Sequence, residues 1–158
     1  MEDINITTKI GDLPQDKQWR IAISIFRNQG SPARKMVLLM KRRTCYSPEG
    51  TWQIPVLRPD DSDTTIGDAI RRYIAEQTGL RGIDIIEQAE PLGWSWGGRA
   101  YIQLNFGVRD RSVSLVSINP DRYIDYRWVR LSHLRWFEIP STTKEVIQGA
   151  SRIESIWY

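Results

Sequence analysis

The sequence predicts one domain of the mixed α+β class, a sandwich built from a sheet and helices. Its 158 residues are 41% hydrophobic, which is enough for a single core of ordinary size. Several segments alternate apolar and polar side chains, as half-buried strands do, and two others repeat apolar residues with the period of a helix. The elements follow one another as strands, helix, strands and helix, an order typical of a mixed α+β sandwich.

The first two predicted strands form a hairpin. Residues 20–26 alternate, which puts three isoleucines on one face of a half-buried strand. Residues 28–32 contain Gly and Pro and are predicted to turn, and residues 36–41 are a more continuously apolar strand. We expect these two strands to pair with each other.

The first predicted helix follows a short extended piece at residues 51–55. Over residues 66–79 apolar side chains recur every three or four positions, which predicts an amphipathic helix of about three turns. The side chains of this series are Ile66, Ala69, Ile70, Tyr73, Ile74 and Gln77. Gly79 lies where the left-handed residue that ends a helix belongs.

A second hairpin is predicted around Gly97 and Gly98, with strands at residues 92–96 and 101–108. Alternation assigns Ile102, Leu104, Phe106 and Val108 to the core-directed face and Tyr101, Gln103 and Asn105 to the opposite face. A short strand is expected at residues 126–129. Thr142 with Glu145 three residues later forms a capping-box signal for a C-terminal helix.

Composition excludes several kinds of site. One cysteine and one histidine cannot form an internal disulfide or an ordinary Cys/His zinc site. The formal charge of +3 is mildly basic and arginines are spread along the whole chain, which argues against nucleic-acid binding. No apolar stretch approaches the roughly 18 to 20 residues that cross a bilayer.

The chain is expected to consist of a flexible arm at residues 1–16 and a single domain at residues 17–158. No apolar run follows the acidic first residues, so a secretory signal is not expected and the predicted location is cytoplasmic. The expected partner is a small-molecule substrate rather than a membrane, and a homodimer is left open.

Two motifs resemble the Nudix family of hydrolases. Trp52-Gln-Ile-Pro55 is followed by Asp68-Ala-Ile-Arg-Arg-Tyr-Ile-Ala-Glu-Gln-Thr-Gly-Leu80, which is similar to the Nudix box G-x5-E-x7-R-E-U-x-E-E-x-G-U. The resemblance implies an α/β/α sandwich with a mixed, curled sheet. It also implies an ancestral site in which box glutamates hold Mg²⁺ or Mn²⁺ against a diphosphate.

The box residues depart from the family pattern where the glutamates belong. After Arg72, Tyr73 replaces Glu, and the Glu-Glu pair becomes Glu76-Gln77. Either Thr64 or Asp63 falls at the remaining glutamate, depending on the direction of counting. Too few carboxylates remain for an ordinary divalent-cation site, so the sequence predicts no metal and no cofactor.

Three residues are candidates for catalysis. Glu76 is predicted to act as a general acid or base, or alternatively as a salt-bridge partner of Arg72. Tyr73 is predicted to offer a hydrogen-bond donor or a stacking surface, and Glu138 a second carboxylate. Asp60, Asp61 and Asp63 are best interpreted as a solvated acidic loop, Cys45 as an ordinary thiol and His133 as a structural or exposed histidine.

A further group of polar and aromatic residues is predicted to bind substrate. Trp94 and Trp96 lie two residues apart on a strand and are expected to wall a ligand pocket, with core packing as the alternative. Arg42 is expected to meet an anionic group, with a solvated strand end as the alternative. The remaining candidates are Gln77, Tyr101, Gln103, Asn105 and Trp136.

The function predicted from the sequence is a repurposed Nudix-fold enzyme. Its dismantled metal site would carry out metal-independent acid/base chemistry, such as isomerisation, cyclisation, elimination or hydration, on a relatively apolar small molecule of specialised metabolism. One alternative is a metal-dependent diphosphate hydrolase that uses Glu76, Asp63 and Glu138. The other is a non-catalytic module that binds a ligand or a protein.

Overall fold

The computed structural model describes residues 4–30, 34–43, 51–60, 62–112 and 114–156, so Cys45 and Asp61 lie outside the described residues. Its elements are β1 (Lys17–Gln29), β2 (Arg34–Arg42), β3 (Trp52–Gln53), β4 (Val56–Leu57), α1 (Ile66–Thr78), β5 (Ile83–Trp96), β6 (Arg99–Asp110), β7 (Tyr123–Arg130) and α2 (Ser141–Ile156). Short 3-10 turns occupy Ile10–Asp12 and Leu131–Trp136. Among the described residues, no helix combines the length and the apolar character that a bilayer crossing requires.

One mixed sheet organises the molecule. Its strands run in the order β3-β2-β1-β6-β5, with β4 paired to β1 and β7 paired to β2. The central pair, β1 and β6, is parallel, whereas β1 with β2 and β5 with β6 are antiparallel. The predicted mixed sheet with two helices and both predicted hairpins are therefore confirmed.

Helices cover both faces of this sheet. Residues of α1 pack with Ile21, Ile23 and Ile25 in one buried cluster, the α1-side core. Residues of α2 pack with Ala22 and Phe26 in a second cluster, the α2-side core. The prediction of a half-buried β1 was therefore wrong: the strand is central in the sheet, and a helix layer covers each of its faces.

Local signals fix both ends of α1. The Thr65 hydroxyl accepts from the Asp68 N–H, and the Asp68 carboxylate accepts from the Thr65 N–H, which makes a capping box. Gly79 has φ 72° and its N–H donates to the Ala75 carbonyl. The predicted helix end at Gly79 is therefore confirmed. Glycine suits this position because few other residues adopt a left-handed backbone.

The C-terminal helix begins earlier than its capping signal indicated. α2 starts at Ser141, so Thr142 lies within the first turn rather than at the cap. The Lys144 N–H donates to the Pro140 carbonyl over 3.1 Å, which places the first turn directly after the proline. Val146, Ile147 and Ala150 of this helix are buried in the α2-side core.

The N-terminal segment packs against the start of α1. Ile10 and Leu13 are buried in the α1-side core. The Gly67 N–H donates to the Ile6 carbonyl at 2.9 Å and the Ile66 N–H to the Thr8 carbonyl at 3.0 Å. These bonds satisfy donors that a helix start leaves without intrahelical partners. The expectation of a flexible arm therefore does not describe residues 6–13, and the domain boundary stays a prediction.

Candidate functional site

A cleft of about 510 Å³ opens beside α1. It is lined by residues of β1, β2, β4, the following loop, α1 and the loop before β7. These residues are Arg20, Arg42, Val56, Leu57, Arg58, Asp60, Arg72, Tyr73, Glu76, Gln77 and Arg122. The structure thus brings four predicted site residues together here: Arg42, Tyr73, Glu76 and Gln77.

Positive charge dominates the lining of this cleft. Five of the lining residues are arginines and two are carboxylates, Asp60 and Glu76. A concave surface with an excess of one charge concentrates ligands of the opposite sign. The cleft is therefore suited to an anion with several charged oxygens.

Arg72 forms ion pairs with two acidic residues. Its Nε and Nη2 donate to the two carboxylate oxygens of Asp63 at 2.8 and 2.7 Å, and its Nη1 donates to Glu76 at 2.9 Å. The hydrogen bonds to Asp63 are the main cause that raises the pKa of Arg72, against an opposing effect of burial. Of the two residues that could match the remaining box glutamate, Asp63 rather than Thr64 thus contacts Arg72. The interpretation of Glu76 as a salt-bridge partner agrees with this geometry.

The Tyr73 hydroxyl joins α1 to two other parts of the cleft. It donates to the Val56 carbonyl at 3.0 Å and accepts from Arg122 Nη1 at 2.9 Å. The residue is only 5% exposed. Its donor is already used by the backbone of β4, and its ring centroid lies 5.8 Å from the guanidinium carbon of Arg122. The predicted role of Tyr73 toward a substrate stays a prediction. The hydroxyl orients the Arg122 guanidinium.

Tyr123 lies next to this group and is buried. Burial and the neighbouring Tyr73 raise the pKa of the Tyr123 phenol above its ordinary 10.0, while Arg42 and Arg122 act in the opposite direction. The neutral phenol therefore persists beside two guanidinium groups. It contributes no negative charge to the cleft.

Gln77 anchors the loop that carries Arg122. Its side chain is nearly fully buried, and its Oε1 accepts from Asn119 Nδ2 at 3.3 Å. The Gln77 carbonyl also accepts from the Asn119 N–H at 3.1 Å. The Arg122 N–H in turn donates to the Asn119 carbonyl at 3.1 Å. Gln77 thus helps to place an arginine at the cleft.

The side-chain oxygen atoms on α1 and on the loop before it do not fit a divalent cation. Mg²⁺ is bound through carboxylate oxygens and water. Both oxygens of Asp63 and one oxygen of Glu76 accept from Arg72, while Tyr73 and Gln77 offer neutral groups with partners of their own. Among the residues that the structure describes, no three acidic, His or Cys side chains are grouped as a metal site would need.

Two predicted aromatic residues, Trp94 and Tyr101, lie next to one lining residue of the cleft, Arg20. Trp94 and Tyr101 stack with their ring centroids 5.4 Å apart and their planes 5° apart. The guanidinium carbon of Arg20, which lines the cleft, lies 5.8 Å from the Trp94 ring and 5.5 Å from the Tyr101 ring. Neither aromatic residue nor the exposed Trp96 is part of the lining of this cleft, so the ligand pocket that the sequence predicts between the tryptophans stays a prediction.

Gln103 and Asn105 lie on the other side of the sheet. Asn105 donates to the Glu90 carbonyl at 2.7 Å and accepts from Gln103 at 2.8 Å. Asn105 lines a smaller cavity together with Val146 of α2. Side chains alternate along a strand, and Leu104 of β6 packs on the α1 side. The two polar residues therefore do not share the cleft with α1.

Glu138 and Trp136 also lie outside the cleft lining. Trp136 is 65% exposed and stacks on His133 with centroids 4.1 Å apart. Between the two candidates, Phe137 packs edge-on against Trp52, and both belong to the α2-side core. This packing places the segment against the α2-side core, and Glu138 does not line the cleft with Glu76.

Three lining arginines were missed in the sequence: Arg20, Arg58 and Arg122. Each stands in a different segment, so no local motif marks them as a group. A signal existed in part, because Arg42 directly follows the predicted strand at residues 36–41 and Arg58 lies three positions after the predicted extended piece at residues 51–55. The convergence itself depends on strand pairing.

The comparisons with known proteins agree with this architecture. The profile of the NUDIX domain family matches residues 17–148. The fold is similar to the NUDIX domain of Shewanella oneidensis NrtR complexed with ADP ribose, at 18% identity over 88% of this chain and 89% of that one, with a TM-score of 0.72. It is also similar to the Nudix hydrolase RenU of M. smegmatis, at 14% identity over 98% and 96% of the two chains, with a TM-score of 0.70.

A C. elegans Ap4A hydrolase gives a TM-score of 0.68 at 13% identity, over 87% of this chain and 98% of that one. No curated protein sequence matches the chain. Structural similarity at such low identity shows the fold alone, whereas the family profile spans most of the sequence. The chain therefore belongs to the NUDIX domain family.

Proposed function

We propose that this protein binds a diphosphate-containing nucleotide, with ADP-ribose as the representative ligand, and that arginines rather than a metal ion hold the phosphates. The observation that carries the proposal is the cleft with five arginines among its lining residues. Guanidinium groups match phosphate oxygens with paired hydrogen bonds and remain charged at any physiological pH.

The proposed site arises from the degenerate Nudix box. Tyr73 and Gln77 stand where the family motif has glutamates, and both support the position of Arg122. Loss of those carboxylates removes the negative charge that would repel a phosphate approaching without a metal ion. The same helix face thus serves an anion directly.

The structural relatives support a nucleotide as the ligand class. The NrtR domain was solved with ADP ribose, and another relative is an Ap4A hydrolase. Both ligand names denote phosphorylated adenosine compounds, which require the cationic surface that the cleft supplies. An apolar substrate, as the sequence suggested, suits this lining poorly because burying the arginines against it would leave charges unpaired.

Diphosphate hydrolysis assisted by a divalent cation is the second candidate function. Membership of the NUDIX domain family favours it, and Asp60 and Glu76 both line the cleft. The Ser62 N–H lowers the pKa of Asp60, so this carboxylate stays ionised at neutral pH. The remaining donors fit a metal ion poorly, as described above.

Calorimetric titration tests the binding proposal. Wild-type protein is expected to bind ADP-ribose and inorganic pyrophosphate with the same Kd in EDTA as in Mg²⁺. Arg122→Gln removes one charged donor and should weaken both ligands at least about tenfold. The matched control is Arg127→Gln on β7, which is exposed, carries the same charge change and is absent from the lining.

Two results would contradict the proposal: equal affinity in Arg122→Gln and wild type, or binding only when Mg²⁺ is present. Turnover is followed in the same samples by phosphate and nucleotide analysis. Steady hydrolysis with Mg²⁺ or Mn²⁺ that disappears in Glu76→Gln would establish the second candidate instead.

A further inference from the structure

Tyr123 carries a buried hydroxyl beside the phosphate cleft. The residue begins β7 opposite Arg42 in the β2–β7 register, and its N–H donates to the Asn119 carbonyl at 3.0 Å. It is only 1% exposed and its ring belongs to the α1-side core. Within the part of the chain that the structure describes, no group forms a hydrogen bond with this hydroxyl.

A buried hydroxyl without a hydrogen bond opposes folding. Most buried polar atoms in proteins therefore have a partner, and an exception calls for an explanation. A phenylalanine would fill nearly the same space in the core without this penalty. The hydroxyl of Tyr123 therefore indicates a group that binds to the protein and completes the hydrogen bonding at this point.

The charged and titratable groups next to this hydroxyl belong to the cleft. They are Tyr73, Arg42 and Arg122, all of which line it. Guanidinium groups only donate hydrogen bonds, and the Tyr73 hydroxyl already donates to Val56 and accepts from Arg122. An acceptor is what this position needs, and an anion held by the two arginines would bring one.

The phenol keeps its proton in this setting. Burial and the neighbouring Tyr73 raise the pKa of Tyr123 above its ordinary 10.0, so the neutral O–H persists over the physiological pH range. A neutral donor adds no charge that would repel the two guanidinium groups. Hydrogen bonds to an ionised oxygen are also stronger than those between neutral groups. The hydroxyl can therefore strengthen the binding of a phosphate here.

We infer that the Tyr123 hydroxyl donates to the phosphate group that Arg42 and Arg122 bind, which makes Tyr123 a ligand-binding residue of the cleft. The inference rests on the proposed function. Solvent does not reach the hydroxyl in this structure, so the contact requires a neighbouring side chain to move. Arg122 is oriented by Tyr73, and Arg42 is therefore the side chain that turns toward the ligand and uncovers the hydroxyl.

Calorimetric titration with inorganic pyrophosphate in EDTA tests this contact. Tyr123→Phe keeps the ring and removes only the hydroxyl, and it should raise the Kd about tenfold, the effect of one hydrogen bond to a charged group. Tyr126→Phe is the matched control. Tyr126 is a partly buried residue of the same strand and lies opposite Met40 instead of Arg42, so its variant should keep the wild-type Kd.

Thermal melting separates ligand binding from a structural role of Tyr123. Without ligand, Tyr123→Phe should melt at the wild-type Tm or above it, because the variant no longer buries an unpartnered hydroxyl. Saturating pyrophosphate should then raise the Tm less in the variant than in wild type. A lower Tm of the variant without ligand would mean that the hydroxyl supports the fold, and it would overturn the inference.

The remaining outcomes keep this inference apart from the proposed function. An unchanged Kd in Tyr123→Phe, with weaker binding in Arg122→Gln, would overturn the inference and leave the arginine site intact. If Tyr73→Phe/Tyr123→Phe binds no more weakly than Tyr73→Phe, Tyr123 acts only through Tyr73 and the direct contact is wrong. Failure of wild type to bind pyrophosphate would overturn both proposals.

Discussion

A single hydroxyl decides what the box helix contributes to the cleft. The resemblance to the Nudix box assigns Tyr73 to a glutamate position, and the hydroxyl donates to Val56 while it accepts from Arg122. A glutamate there would offer charge to a metal ion. The phenol instead offers a neutral acceptor that orients the Arg122 guanidinium.

Tyr73→Phe is expected to weaken ADP-ribose binding by about tenfold, because Arg122 loses the acceptor that orients it. Titration of the single variants and of Tyr73→Phe/Arg122→Gln checks the cause. If Tyr73 acts through Arg122, the double variant binds no more weakly than Arg122→Gln alone. Independent, additive losses would show that the hydroxyl has another role.

A buried ion pair joins β1 and β6 at one end of their parallel pairing. Arg27 Nε and Nη2 donate to Asp110 at 2.8 and 2.5 Å, and both side chains are almost fully buried. The guanidinium carbon also lies 4.1 Å from the Trp128 ring centroid, which ties β7 to the same point. The pair secures the strand arrangement on which the cleft depends.

Arg27→Ala should lower the free energy of unfolding by about 3–5 kcal/mol, since it leaves the Asp110 carboxylate buried without its partner. Urea denaturation measures this loss. Arg111→Ala is the matched control: its pair with Asp84 is largely exposed, so the expected loss is about 0–1 kcal/mol. Similar losses in both variants would contradict the assignment of Arg27–Asp110 as the stabilising pair.

At the scale of the whole molecule, the fold gathers charge that the sequence disperses. The lining arginines belong to β1, β2, the loop after β4, α1 and the loop before β7. Their combined field should attract an anion beyond the range of any one contact. Salt weakens such long-range attraction far more than it weakens the contact of a buried ion pair.

Affinity for pyrophosphate should therefore fall steeply with ionic strength. Raising NaCl from about 0.01 M to about 1 M shortens the screening length from about 30 Å to about 3 Å. Titration across this range is expected to show a steep slope of log Kd against log salt, and a shallower slope in Arg122→Gln. A salt-independent Kd in wild type would show that the arginines do not provide the attraction.

Much of the fold was predictable because its signals are local. The period of α1 and the glycine that ends it lie within one short segment, and both hairpins have their turn residues between alternating strands. The failures have a different origin. Burial of both faces of β1 requires helices that are remote in sequence, and neither Trp136 nor Glu138 lines the cleft because lining depends on tertiary packing.

The sequence by itself determined the types of the main elements and the helix at Ile66–Thr78, since the signals for each lie in adjacent residues. Only the tertiary structure decided the charge of the cleft. Arg20 and Arg122, the first and the last of its arginines along the sequence, line the same cleft. Strand pairing and the loop before β7 bring them together. Arginines that look evenly spread along a chain can converge because spatial proximity depends on long-range pairing rather than on spacing.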